Sequence, residues 1–289
     1  MGRKVIAIWL SLILMMSVVV FVDVSMDLTL NVGGTTLYVN TTGSDGAYTS
    51  IQDAINDSKI GDTVFVYNGT YYENVVVNKT INLTGENRDY TIVDGGGIGK
   101  VIHITIDFVN VTQLTLTGAG SNYKDAGISV DSDYNTISNN NVSNNTFGIF
   151  LNYSNENNLS KNQVINNMYG IWIIHSHYNI MINNNASSNS NCGISLWDSN
   201  STQLIGNNAS WNPFEGGIQI HRSDRTNLSN NIILSNNNAR GLYIDDSKNF
   251  NVFDNNLSYN QIGVFLFYST NIKIRNNTAL FNPGGGIYL

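Results

Sequence analysis

From Gly127 to the C-terminus the chain repeats a short strand opened by glycine in which apolar and polar positions alternate: GISV at Gly127, GIFL at Gly148, GIWI at Gly170, GISL at Gly193, GIQI at Gly217, GLYI at Gly241, GVFL at Gly263 and GIYL at Gly286. Subtracting successive glycine positions gives 21, 22, 23, 24, 24, 22 and 23 residues. A fixed period of this size marks a solenoid rather than a domain with one closed core. Each unit reads as three short strands. In the Gly217 unit, Ile218 and Ile220 flank Gln219, and Leu228, then Ile232 with Leu234, begin two further runs separated by polar turn formers. Short segments rich in Asn and β-branched residues disfavour helix. The pattern predicts an all-β, three-sided coil. Its chain advances one strand spacing, roughly 4.8 Å, per turn, so each strand pairs in parallel with its equivalents above and below.

Stacking of like on like gives the asparagines a role. They recur as pairs or triplets after the second strand, at Asn139 to Asn141, Asn183 to Asn185, Asn207 with Asn208, Asn230 with Asn231, Asn255 with Asn256, and Asn276 with Asn277. Asn tolerates left-handed backbone at a corner, and its amide both donates and accepts, so these residues read as turn ladders without a catalytic role.

Ahead of the repeats, residues 37–126 read as a cap and first coils. The segment Tyr48 to Lys59, YTSIQDAINDSK, is the one good helix, with a capping box at Ser50 and Asp53 and one apolar face of Ile51, Ala54 and Ile55. It is expected to plug the first coil, because a solenoid end exposes apolar side chains and unpaired strand edges. The following stretch alternates Val64, Val66, Val75, Val77, Ile81 and Leu83 with polar residues.

Composition narrows the setting. Residues 1–26 begin with Arg3 and Lys4 and continue into the apolar run VIAIWLSLILMMSVVVFV, which reads as a signal peptide or an uncleaved membrane anchor. The rest is then extracellular or at the cell surface, with membrane contact only through that segment. A net charge of -7 argues against nucleic acid, since no basic stripe is available to neutralise phosphates. A single cysteine, Cys192, rules out an intrachain disulfide, and numerous Asn-x-Ser/Thr sites, Asn68, Asn141, Asn208 and Asn256 among them, allow glycosylation.

The order SIQDAIN, GDTVFVYNGTYYENVVV, KTINLTGEN and then G-I-x-[VIL] coils ending in NN resembles the right-handed parallel β-helix proteins grouped with NosD, also called the carbohydrate-binding and sugar-hydrolysis (CASH) domain. The resemblance covers residues 37–289. It implies a right-handed parallel β-helix as one structural domain, but the scaffold hosts lyases, hydrolases, epimerases, adhesins and a copper-maturation factor, so it leaves activity open. The GHG and RIK signatures of polygalacturonases are missing, and Ile272 to Arg275 reads IKIR in an ordinary strand.

Candidate chemistry comes from aligning the repeats as columns. The fifth residue after each glycine runs Ser132, Tyr153, His175, Asp198, Arg222, Asp246, Tyr268, and the fourth runs Asp131, Asn152, Ile174, Trp197, His221, Asp245, Phe267. Asp198 and Asp246 would lie two rungs, roughly 9 to 10 Å, apart with Arg222 between them. Two readings are open: an inverting hydrolase pair, or an ion-pair ladder in which Arg222 is held between the two carboxylates. The outward second column carries Phe150, Trp172, Tyr243 and Phe265, with Trp197 beside it, and aromatic faces of this kind can stack on sugar rings while His221 and Asp245 bond hydroxyls. The partner expected is a polysaccharide or cell-surface glycan, bound by a monomer, with hydrolase or lyase activity as an open extension. A non-catalytic surface-layer or adhesin solenoid is the alternative, and a NosD-type copper-binding accessory protein is a second.

No cofactor is expected, and calcium or copper would be the metal if one were held. His175 and His177 form an HxH near Met168, Met181 and Cys192, the donor types that suit copper. Leu289 ends the chain one strand into a coil, and the sequence is read as a fragment there.

Overall fold

The computed structural model describes residues 34–289, so the apolar segment at the start lies outside the described residues. Three parallel sheets form the sides of the coil. One has eleven strands, from Thr36–Val39 to Thr270–Arg275. A second has ten, from Val75–Val77 to Ile287–Tyr288, and contains every Gly-led strand. The third has five regular strands, from Gly69–Tyr72 to Gln163–Ile165, and continues upward as single-residue bridges from Asn185 through Asn208, Ile232 and Asn256 to Thr278.

Register follows the predicted columns. Ile149 pairs with Ile171, Ile171 with Ile194, Ile194 with Ile218 and Ile218 with Leu242. These side chains point into one continuous core of Val, Ile and Leu with no exposure to solvent. Full burial of each such side chain stabilises the coil by about 1.5–3 kcal/mol. The third side departs from the expected register. The run begun by Ile232 and Leu234 leaves Ile232 half exposed, and Ile233 between them is the fully buried residue. That corner is too tight for an alternating run, so only one residue per coil, Ala186, Ala209, Ile233, Leu257 or Ala279, packs inward there.

The helix Ile51–Asp57 forms where expected, and Ile51, Ala54 and Ile55 close the core. Ser50 caps it by accepting from the amide of Asp53, but a second cap comes from outside the segment: the Glu73 carboxylate accepts from the amides of Ile51 and Gln52 at 2.9 and 3.0 Å. An anion at a helix N-terminus satisfies orphan amides and complements the dipole.

The asparagines divide the labour at each corner. Asn139, Asn183, Asn230 and Asn276 take left-handed φ near 55°. The next residue forms the ladder, buried at Asn140, Asn184 and Asn231 and half-buried at Asn277 near the end: the side-chain oxygen of Asn162 accepts from the amide of Asn140, that of Asn184 from Asn162, and so on through Asn207, Asn231, Asn255 and Asn277. A parallel ladder climbs the third corner from Asn145 to Asn282. A third ladder, of serines, was not anticipated. The hydroxyl of Ser176 accepts from the amide of Ser154, and Ser199, Ser223, Ser247 and Ser269 repeat the contact upward.

Glycine opens each strand because the corner ladder crowds it. A Cβ at Gly193 would lie 2.7 Å from Asn212 Nδ2, 2.7 Å from the Gly217 oxygen and 2.8 Å from the Ala186 oxygen. Two of those atoms are backbone and cannot move aside. We expect Gly193→Ala to destabilise the fold by about 1–3 kcal/mol, read as a lower urea midpoint.

Candidate functional site

The Gly-led sheet presents two outward columns, and its register brings them into a ribbon. Phe150 pairs with Trp172, then Ser195, Gln219, Tyr243, Phe265 and Tyr288 follow one per rung. Beside them run Ile174, Trp197, His221, Asp245 and Phe267.

Where the second column is small or polar, the fourth column folds over it. Trp197 Nε1 donates to Ser195 Oγ at 3.0 Å, and His221 Nε2 lies 3.3 Å from Gln219 Oε1. The result is one ring per coil: Trp172, Trp197, His221, Tyr243, Phe265 and Tyr288, with successive centroid distances of 6.5, 4.1, 5.2, 5.6 and 4.9 Å. Five rung spacings make this ribbon roughly 24 Å long, parallel to the solenoid axis.

Phe150 drops out of the exposed face. It points away from the core as expected but is 0% exposed. It packs with Phe147, and Tyr123 from the segment between Gly118 and Asp125 lies edge-on over both rings, 6.2 and 6.1 Å between centroids. The sequence offered no long loop to wall this face, yet that short segment covers its lower end.

The fifth column sits at a left-handed corner, with φ of 49° at His175, 48° at Asp198, 43° at Arg222 and 44° at Asp246. The expectation that Arg222 bridges two carboxylates is corrected. Its Nε and Nη2 donate to the two oxygens of Asp198, each at 2.8 Å, a bidentate fork that leaves Asp246 outside. His175 Nδ1 stands 3.6 Å from Asp198 Oδ2. The Arg222 hydrogen bonds and charge hold the Asp198 carboxyl below the usual range. His221 Nδ1 is 3.2 Å from Asp245 Oδ2.

A further cluster lies lower on the same sheet and was missed from sequence because two of its members, Lys100 and His103, precede the Gly-led repeats. His103 Nε2 is 2.6 Å from Asp131 Oδ2, and Lys100 Nζ donates to that oxygen at 3.1 Å. Alignment of His103 with Ser129 as a second-column position would have revealed it. These partners push the Asp131 pKa well down, chiefly through His103, against the effect of burial. A depressed carboxylate stabilises the fold above its unfolded pKa, near 3.9, and the contribution is lost as pH falls through the lower folded value. We therefore expect the urea midpoint of the wild type to fall between pH 5 and pH 2 more steeply than that of Asp131→Asn.

Two family descriptions match the sequence. One is "Right handed beta helix region", over residues 169–289, and the other is "Periplasmic copper-binding protein (NosD)", over residues 55–212, more than half of the chain. Among solved structures, the mannuronan C-5 epimerase AlgE6 A-module of Azotobacter vinelandii is similar at TM-score 0.69 and 17% identity, covering 82% of this chain and 73% of its own. The enzymatically active domain of tailspike protein 2 of bacteriophage CBA120 follows at 0.57 and 14%, covering 78% and 40%. Alginate lyase from Paenibacillus sp. str. FPU-7 stands at 0.55 and 14%, covering 88% and 97%. At these identities the likeness is one of fold. No curated protein matches the chain significantly.

The copper named in the second description can be tested on the donors. His177 Nδ1 already accepts from the amide of Asn200 at 3.0 Å, Met181 is buried in the core, and Cys192 is buried with burial pushing its thiol pKa up. Among the described residues no three His, Cys, Asp or Glu side chains converge as a metal site. The set built around His175 and His177 does not fit copper.

Proposed function

The chain belongs to the NosD family of right-handed β-helix proteins, and on that premise we propose that it is an exported cell-surface protein that binds polysaccharide along its Gly-led face. One observation carries the reading: the ribbon from Trp172 to Tyr288 sets one ring on every rung. Rings repeating at strand spacing match the repeat of a glycan lying along the axis, whose apolar pyranose faces pack on aromatic rings. Around the ribbon, His221, Asp245, Asp246 and Arg222 supply donors and acceptors for hydroxyls. Export is supported by the apolar N-terminal run and by the family's periplasmic description. The neighbours include an epimerase of mannuronan and a lyase of alginate, so this scaffold accommodates sugar polymers elsewhere.

The proposal is binding rather than hydrolysis. A general acid needs a raised pKa, and the Arg222 fork keeps Asp198 ionised. Two surface hollows lie elsewhere, one lined by Phe253, Asp254 and Arg275 and the other by Tyr38, Asp45 and Tyr67, and neither includes Asp198 or Asp246. The test is binding of the purified full chain to a panel of neutral and acidic polysaccharides. Saturable binding supports the reading. A folded protein that retains none of them sinks it and favours a surface-layer or adhesin solenoid.

A further inference from the structure

Two arginines border the aromatic ribbon, and they differ in one respect. Arg222 spends its fork on Asp198. Arg240 opens the strand Arg240–Asp245, and its guanidinium carbon lies 4.6 Å from the ring centres of both Tyr243 and Phe265. Among the described residues Arg240 has no ion-pair partner and its side chain makes no hydrogen bond within the protein, although it is held in place by two rings. The neighbour one coil below in the same row is Gly216, which carries no side chain. The row thus has a gap beside an oriented, uncommitted guanidinium.

Resting on the polysaccharide reading, we infer that Arg240 is a carboxylate-reading residue and that the glycan carries a uronic acid at this rung. A guanidinium stacked on aromatic rings keeps its planar edge of N–H donors free, and that edge matches a carboxylate in bidentate fashion. The Arg222–Asp198 pair, one coil away, shows that geometry within this protein. The surroundings set the charge density of the ligand. Glu215 precedes the gap, Asp245 ends the same strand with Asp246 next to it, and the whole chain carries -7. A fully charged polyuronate meets repulsion along this face, whereas a neutral backbone with isolated uronates places one carboxylate at Arg240.

The experiment compares binding of the full chain to glucuronoxylan, whose uronates are spaced along a neutral backbone, with binding to the same polymer after carboxyl reduction. Wild type should prefer the parent by about tenfold. Arg240→Met keeps an unbranched side chain over the rings and should bring the parent-to-reduced ratio near one. Arg240→Lys keeps the charge without the fork and should give an intermediate ratio, with unfolding curves verifying that each variant is native. Equal binding of both polymers by wild type, or a preference that survives in Arg240→Met, overturns the carboxylate assignment and leaves the polysaccharide reading standing. Failure to bind either polymer, with none of the wider panel bound, overturns both.

Discussion

Asn207→Ala is expected to lower the stability of the coil by about 3 kcal/mol, because truncation strands buried polar groups at roughly 1–3 kcal/mol each. Asn207 is fully buried, and its side chain closes four hydrogen bonds. Its oxygen accepts from the amide and the side chain of Asn184, both at 3.0 Å, while its Nδ2 donates to the Met181 carbonyl at 2.9 Å and to Asn231 Oδ1 at 3.1 Å. Alanine leaves the Asn184 amide and the Met181 carbonyl without those partners and out of reach of water. Asn207→Asp should be at least as damaging at neutral pH, since it removes both donors and buries a charge. Asn158→Ala makes the contrast, because Asn158 is exposed and a surface change of this kind stays within about 0.5 kcal/mol. Urea midpoints of the three variants decide the matter. A small effect at Asn207 would mean that the ladder is incidental to stability.

Loss of Trp197 and Tyr243 together should weaken polysaccharide binding by about a hundredfold, taking two central contacts at roughly 2 kcal/mol each and allowing for non-additivity. Both rings sit in the middle of the ribbon. Trp197 stacks on His221 with centroids 4.1 Å apart, and Tyr243 lies between His221 and Phe265. Their removal opens the face at two rungs while the inward Leu196, Ile244 and their neighbours keep the core. The fold should therefore survive, and matching unfolding curves would establish that the loss is one of contact. Trp172 is a poorer choice for a single test. It also packs against Phe147 and Tyr169, so its replacement disturbs the cluster over Phe150. Undiminished affinity in the Trp197→Ala, Tyr243→Ala variant would move the ligand off this face.

The sequence by itself determined the coil, its period and the identity of each column. Those follow from rules that act within one repeat: alternation places Ile218 and Ile220 inward, the left-handed corner after the second strand suits Asn139, Asn183, Asn230 and Asn276, and a stack of equal repeats must pair like with like. It also sufficed for the helix at Ile51–Asp57, whose cap and apolar face are local. What it could not determine was the state of the outward positions, because each depends on a neighbour from another coil. Phe150 is covered by Tyr123 from the preceding coil, Trp197 folds back over Ser195, and Arg222 chooses Asp198 over Asp246 although both lie one rung away. His103 and Asp131 meet across 28 residues with no motif to join them. An inward side chain has one place to go, set by the pleat. An outward one is free to turn toward either adjacent rung, and only the packed structure decides which contact it takes.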